Sequence, residues 1–343
     1  MVRLKDIAQR AGVSVMTVSK ALRDAPDVAE ATRARIQALA RELGYVPDSL
    51  AQGLRTRATR LFGVIIPAVT HPVYARVLLA LEERTHELGY DLLCAHTLNL
   101  LEREEYAIRR MLSRRVEGLF LCPVPRLQAE ARIYQELAVS RTPVVLLSQP
   151  PPYCAQFPSA AGDDLTGAYL ATRHLLELGH RRIAFLAGPI AAPWAQERLD
   201  GYRRALREGG IEPDDRLIFP GGTTIEDGAQ AAEQLLAEAP DATAVFASND
   251  LTAIGFGHSL LDRGVRIPQE VSLVGFGNTL AAKYFRVPLT TVRQPKRRLG
   301  HAAMNLMSQL LRHQSAESVR LPVTLAVRAS TAPPRTGPLA VGV

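Results

Sequence analysis

Close to the N-terminus the apolar positions recur at helical spacing. Ile7, Ala8 and Ala11 share one helix face, which Gly12 is placed to end. Ser14 is a good N-cap for a second helix, and Val18, Ala21 and Leu22 form its inward stripe. That leaves Val15, Met16, Ser19 and Lys20 facing outward. Val28, Thr32, Ile36, Leu39, Ala40 and Leu43 mark a third helix, closed by Gly44. A patterned helix, a glycine turn and a Ser-capped second helix have the layout of a helix-turn-helix, whose second helix enters the major groove of DNA. An ordinary surface helical hairpin would show the same spacing, so the rest of the chain has to decide.

From Leu61 the period changes. Leu61–Ala68 reads as a strand, and Val77, Leu78, Leu81, Thr85 and Leu88 stripe a helix that stops at Gly89. Further strands are expected at Asp91–Ala95, Gly118–Pro123 and Pro143–Ser148, with helices around 103–114 and 127–138. The alternation restarts after a Pro-rich stretch at 150–158. Strands Ile183–Ala187, Leu217–Phe219, Ala244–Ala247 and Ser272–Phe276 then alternate with helices near 165–178, 194–208, 226–238 and 250–263. Continuous apolar strands joined by helical crossovers make parallel sheets buried on both faces, here two doubly wound α/β lobes. Thr290–Gln294 and Leu321–Ala326 are expected to cross between them. Ligands of such sheets bind beyond the carboxyl ends of the strands, which is the cleft between lobes.

Charge sharpens the division. Residues 1–60 hold 11 Lys+Arg against 6 Asp+Glu, leaving 30 against 28 for the remainder of a chain whose net charge is +7. A basic head on a near-neutral body favours a polyanion-binding module over a uniformly basic protein, although a solvated charged face would look the same. Cys94, Cys122 and Cys154 are odd in number and lack C-x-x-C spacing, so neither a disulfide framework nor a zinc site follows, and no cofactor or metal is expected. Met1 to Leu22 carries charges throughout and no run approaches the ~18 apolar residues of a membrane span, so a cytoplasmic location and no membrane partner are expected. Gly255-Phe256-Gly257 and Gly275-Phe276-Gly277 offer only G-x-G, without the third glycine of a nucleotide fingerprint. No Walker A, H-E-x-x-H or G-x-S-x-G sequence occurs, and catalysis has no support. His174 and His180 flank a helix end, where bonding to its terminal carbonyls is the usual role.

Particular stretches carry a resemblance. Asp6-Ile7-Ala8, Ala11-Gly12-Val13-Ser14 and Thr17-Val18-Ser19-Lys20-Ala21-Leu22 are followed by Tyr45-Val46-Pro47-Asp48 and Ala51-Gln52-Gly53-Leu54-Arg55. In the body stand Leu178-Gly179-His180-Arg181-Arg182-Ile183-Ala184, Glu197-Arg198-Leu199-Asp200-Gly201-Tyr202, Ser248-Asn249-Asp250 and Pro288-Leu289-Thr290-Thr291-Val292. Together they resemble the LacI/GalR family of bacterial transcription regulators, closely over residues 3–60 and onward to about residue 331. The resemblance implies a small all-α helix-turn-helix head joined to a two-lobed periplasmic-binding-protein-like α/β body. Its segments would be a DNA-binding domain at 1–46, a hinge and linker at 47–60, an effector-binding and dimerisation domain at 61–331 and a flexible tail at 332–343. No heptad-patterned helix follows Thr331, which favours a homodimer over a tetramer.

The resemblance further implies a repressor that binds palindromic double-stranded operator DNA and answers to a small-molecule effector. Two other readings stay open: a DNA-binding regulator whose body only dimerises, and a solute-binding protein. Val13 to Lys20 matches the family's recognition helix, and Leu54 stands where a hinge leucine wedges into the minor groove. Val15 and Met16, as exposed apolar residues, suit thymine methyls and are expected to set operator preference. Ser14, Thr17, Ser19 and Lys20 are expected at phosphates or base edges, with Arg55 adding electrostatic hold. Segment 48–56 is expected to be disordered off DNA, being short and weakened by Gly53. For the effector, the resemblance proposes His71, Tyr74, Asp163, Arg198, Asn249 and Gly277, and Trp194, the sole tryptophan on a Pro-rich loop entering a helix, is expected either to line the cleft or to pack under that loop. Capping of a helix is the rival role for Asp163, a helix-start core position for Tyr74, and a structural ion pair for Arg198. Many relatives carry an aspartate at the position of Gly277. With that acid absent and Arg198 present, an anionic or less hydroxylated effector is expected.

Overall fold

The computed structural model describes residues 2–46 and 58–336. The chain divides into two units between Thr59 and Arg60. The expected hinge residues Leu54 and Arg55 lie outside the described residues.

The first unit contains α1 (Leu4–Ala11), α2 (Val15–Ala21) and α3 (Glu30–Glu42). Gly12 ends α1 at φ 66°, a left-handed conformation that a side chain would disfavour. Two residues on, the Ser14 hydroxyl accepts the Thr17 amide at 3.1 Å and starts α2. Ile7, Val18, Ala21 and Ile36 are fully buried where the three helices meet, as the helical spacing predicts.

In the second unit, β1 (Leu61–Ile66) is followed by α4 (Pro72–Glu87), β2 (Asp91–His96), α5 (Leu101–Ser113), β3 (Gly118–Leu121), α6 (Arg132–Val139) and β4 (Val144–Leu146). These strands form an all-parallel sheet in the order β2-β1-β3-β4. Beyond it come β5 (Ala160–Gly162), α7 (Asp164–Glu177), β6 (Ile183–Ala187), α8 (Pro193–Glu208), β7 (Ile218–Pro220), α9 (Ile225–Glu238), β8 (Ala244–Ala247), α10 (Asp250–Asp262), β9 (Ser272–Phe276), α11 (Leu280–Lys283) and β10 (Thr290–Arg293). The chain closes with α12 (Lys296–Leu311), β11 (Val319–Leu321) and β12 (Thr324–Ala326). The second sheet runs β12-β10-β9-β8-β6-β7, parallel except for β12. Gly255 serves packing within this lobe: a Cβ there would stand 1.8 Å from the Ile225 carbonyl, so its absence lets α10 close on α9.

The chain crosses between lobes after β4, β10 and β11. Helix α12, which the strand-and-helix alternation did not anticipate, returns to the first lobe. Its Leu299, Ala303, Met304 and Met307 join the core of Phe62, Val64 and Phe120. The expected strand Leu321–Ala326 is two strands. Pro322 lacks an amide to donate, and the halves pair with different partners: β11 with β5, β12 with β10.

Several boundaries shift. Arg60 donates its amide to Glu117 Oε1 at 2.7 Å and belongs to the body, not to a linker. Ala332 and Arg335, expected within a flexible tail, are bound to the second lobe. Arg335 donates to the Ala242 carbonyl at 3.1 Å and the Pro240 carbonyl at 2.8 Å. His180 donates to the Ala332 carbonyl at 2.8 Å and meets Thr243 Oγ1 and Ser272 Oγ at 2.9 and 3.1 Å. His174 meets Thr331 Oγ1 at 3.0 Å. Both histidines therefore fasten the chain's return segment, in place of the helix-end carbonyls expected for them. Among the described residues no helix is long and apolar enough to cross a membrane, and no group of His, Cys, Asp and Glu is arranged to hold a metal.

Candidate functional site

On α2 the side chains divide as the spacing predicts. Val18 and Ala21 point into the core, while Val15 is 45% and Met16 64% exposed at the helix start. Apolar side chains this exposed on a folded helix add little to the core. Ser14 and Thr17 are joined, hydroxyl to hydroxyl, at 2.9 Å. Ser19 gives its carbonyl to Arg23 Nε at 2.9 Å, and the Lys20 ammonium pairs with Asp27. That pairing holds the Asp27 carboxyl below the usual carboxylate range. Lys20 must exchange Asp27 for any phosphate it takes.

A cavity of about 320 Å³ lies between the lobes of the body. It opens beyond the carboxyl ends of β1, β3 and β4 on one side and of β6, β8 and β9 on the other, as doubly wound sheets require. Arg198 on α8 is its central side chain. Nε and Nη2 donate to Asp164 Oδ1 at 2.9 and 2.6 Å, and Nη1 donates to the Ser248 carbonyl at 2.5 Å. The guanidinium lies 3.7 Å from the Phe276 ring centroid and 4.6 Å from that of Trp194. Burial pushes the Asp164 carboxyl up, against the pull of Arg198.

The opposite wall carries His71 and Tyr74, their ring centroids 5.1 Å apart. Burial, then the Arg198 charge, lowers His71 to about 4, so the ring is neutral at neutral pH. Its Nδ1 is buried without a hydrogen-bond partner among the described residues. Tyr74 Oη accepts from Cys122 Sγ at 3.2 Å, and the ring packs on the first lobe's core while also lining the cavity. Asn249 lines the cavity as the N-cap of α10, accepting the Thr252 amide at 2.9 Å and donating to Thr252 Oγ1 at 2.8 Å.

Two expected effector residues are elsewhere. Asp163 caps α7 by accepting the Thr166 amide at 3.1 Å and is not part of the cavity wall; its neighbour Asp164 turns inward. Gly277 adopts φ 142°, and a Cβ there would stand 3.1 Å from the buried Asp250 carboxylate. Asn278 does not replace a missing acid in the cavity, because its Oδ1 accepts from Arg328 Nη2 at 2.5 Å. Asp164 and Phe276 are wall residues that sequence reasoning passed over, together with Gln149, Asn99 and Thr223. Phe276 was visible as an aromatic ending an apolar strand, the place where such sheets receive ligands.

A three-helix unit of helix-turn-helix layout, followed by two parallel-sheet lobes around a cleft, defines a DNA-binding head on a ligand-binding-protein fold. Residues 3–48 match the family model of bacterial regulatory proteins, lacI family, and residues 172–331 a periplasmic binding protein-like domain. The HTH-type transcriptional repressor PurR of Vibrio atlanticus (strain LGP32) is 33% identical over 317 residues, covering 92% of this chain and 94% of its own. The ribose operon repressor of Escherichia coli (strain K12) is 31% identical over 324 residues, covering 94% of this chain and 97% of its own. Among solved structures, the Lac repressor dimer bound to operator and the anti-inducer ONPF superposes with a TM-score of 0.85 at 29% identity, over 96% of this chain and 99% of that one. The chain belongs to the lacI family of bacterial regulatory proteins, and it is a DNA-binding transcription regulator, not an enzyme.

Proposed function

We propose that this protein is a cytoplasmic repressor that grips a palindromic operator as a homodimer and releases or tightens that grip when a neutral small molecule occupies the interlobe cavity. The dimeric, operator-bound and anti-inducer-bound state of the Lac repressor supports the arrangement. A single recognition helix gives little affinity, and two related by a dyad match a palindrome. Ser14, Val15, Met16, Thr17, Ser19 and Lys20 are the proposed reading surface. Leu54 and Arg55 are proposed for the adjoining minor groove on the sequence resemblance alone.

The observation that carries the effector reading is the Arg198–Asp164 pair, buried under two aromatic rings at the lobe junction. It revises the expectation of an anionic ligand. The guanidinium charge is already matched by Asp164, and His71 is neutral, so the wall carries no net charge to attract an anion. Aromatic faces from Tyr74, Trp194 and Phe276 together with the unpaired His71 Nδ1 suit a compact neutral molecule with a flat or apolar face and few hydroxyls. A ligand changes DNA affinity only by binding one lobe arrangement better than another, and contacts from both lobes supply that difference.

A thermal-shift screen of neutral nucleobases, nucleosides, aromatic metabolites and sugars, followed by operator titration with each hit, tests this. At least one neutral compound should raise Tm and change operator affinity by about 5-fold or more. Hits confined to carboxylates and phosphates would overturn the neutral-ligand reading. A stabilising ligand that leaves operator affinity unchanged would make the body a dimerisation device only.

A further inference from the structure

A second cavity, of about 410 Å³, lies at the lobe junction, and its walls are strongly basic. Arg76 comes from α4, Arg293 from the end of β10, and Lys296, Arg297 and Arg298 form the first turn of α12. Glu83 is the one carboxylate among the lining residues, and it is engaged by Arg297 at 3.1 Å. The lining therefore carries five cations against one anion. Among the described residues, no carboxylate lies within 4.0 Å of Arg76, Arg293 or Arg298, whereas Arg297 beside them is paired with Glu83.

The placement runs against ordinary helix electrostatics. A helix N-terminus is the positive end of the backbone dipole and favours acidic residues. Helix α12 has no acidic residue in its first turn, and its N-cap, Pro295, offers no side-chain acceptor. Three cations at that end, faced by two more across a cavity, repel one another. Lys296 registers it. Its ammonium is held below the usual lysine range chiefly by burial, with Arg76 and Arg293 adding to the effect against the pull of Asp250. Its hydrogens go to the Gly277 and Asn278 carbonyls, at 2.5 and 3.0 Å, which do not neutralise it.

We infer that this cavity is a second ligand site, for a small anion bearing two phosphoryl groups, such as a diphosphate or bisphosphate metabolite. One phosphoryl group brings a charge of roughly −1.5 to −2, so the unpaired Arg76, Arg293 and Arg298, with Lys296 only partly offset by Asp250, call for two. The volume is of the size that holds a metabolite. Arginine forks from opposite walls can grip separate phosphoryl groups bidentately. Gln294, between Arg293 and Pro295, lines both this cavity and the interlobe one. An occupant here therefore shares a wall with the effector.

Calorimetry on the full-length protein with inorganic pyrophosphate, run at constant ionic strength against phosphate and sulfate, tests the site. Pyrophosphate should bind at least about tenfold more tightly than sulfate. Arg298→Glu should weaken pyrophosphate by at least about tenfold while Tm without ligand holds or rises, since an acid suits that helix position. Arg293→Gln, at an exposed strand end, carries the same expectation for binding and serves where Arg298→Glu does not fold. Equal affinities for the three anions would mean an unspecific ion atmosphere and overturn the proposal. So would unchanged pyrophosphate binding in both variants. Loss of operator affinity by Arg298→Glu with no pyrophosphate present would assign these cations to DNA and overturn it as well.

Discussion

Burial at His71 has a consequence for stability that pH exposes. The free imidazole takes a proton near 6.5, whereas the folded chain refuses it until about 4. Between those values the unfolded chain is the better proton acceptor, so the stability held by the neutral ring is complete above pH 6.5 and drains away as the pH falls toward 4. The whole effect is worth roughly 3 kcal/mol. His71→Gln should flatten the fall of Tm across that window, leaving the smaller contributions of His174 and His180, which burial also lowers. Parallel Tm profiles for parent and variant would show that His71 accepts its proton in the fold. Arg198 was legible because it stands in the Glu197–Tyr202 stretch that carries the family resemblance, and Trp194 because it is the sole tryptophan and opens a helix after a Pro-rich loop. Asp163 and Asp164 were not separable, since adjacent positions at a helix start point about 100° apart and sequence does not say which one faces the cleft. Gly277 was misplaced for a similar reason: its backbone turns at φ 142° beside Asp250, which no spacing argument reveals.

At the level of elements, α2 depends on its cap. Ser14→Ala removes the acceptor of the Thr17 amide and should lower stability of the first unit by about 1 kcal/mol. Ser14→Asp restores a cap but sets a negative charge where phosphates are proposed to lie. It should therefore melt like the parent and bind operator much less tightly, a split that melting curves and fluorescence anisotropy can read. Equal operator affinity for parent and Ser14→Asp would remove Ser14 from the reading surface. Elements with strong caps and stripes, such as α1 and α2, were legible from the chain. Helix α12 was not, because it opens with Lys296-Arg297-Arg298 and no capping side chain, so no start signal precedes its apolar stripe. Strand β5 is Ala160-Ala161-Gly162, which lacks the β-branched residues that mark a strand, and it pairs only because β11 returns beside it.

For the molecule as a whole, charge is allocated by unit. Residues 1–60 carry 11 basic and 6 acidic side chains, whereas the rest carry 30 and 28. Many body cations answer a local carboxylate, as Arg173 does Glu177 at 2.7 Å and Arg204 does Glu208 at 2.9 Å. Such pairs leave little field at a distance. The salt dependence of operator binding should therefore be set by the head. Each phosphate neutralised by a cation contributes about −0.9 to the slope of log K against log salt. Lys20→Gln should make that slope shallower by about two for a dimer, one phosphate contact per protomer. Arg173→Gln should leave it unchanged. Anisotropy titrations at a series of potassium chloride concentrations distinguish the cases, and the Lys20–Asp27 pair gives an internal control. Asp27→Asn frees the Lys20 ammonium beforehand, so it should tighten binding at every salt concentration while keeping the parent's slope. A slope that follows Arg173 instead of Lys20 would mean that the DNA contact lies on the body, and the division of labour between the two units would have to be redrawn.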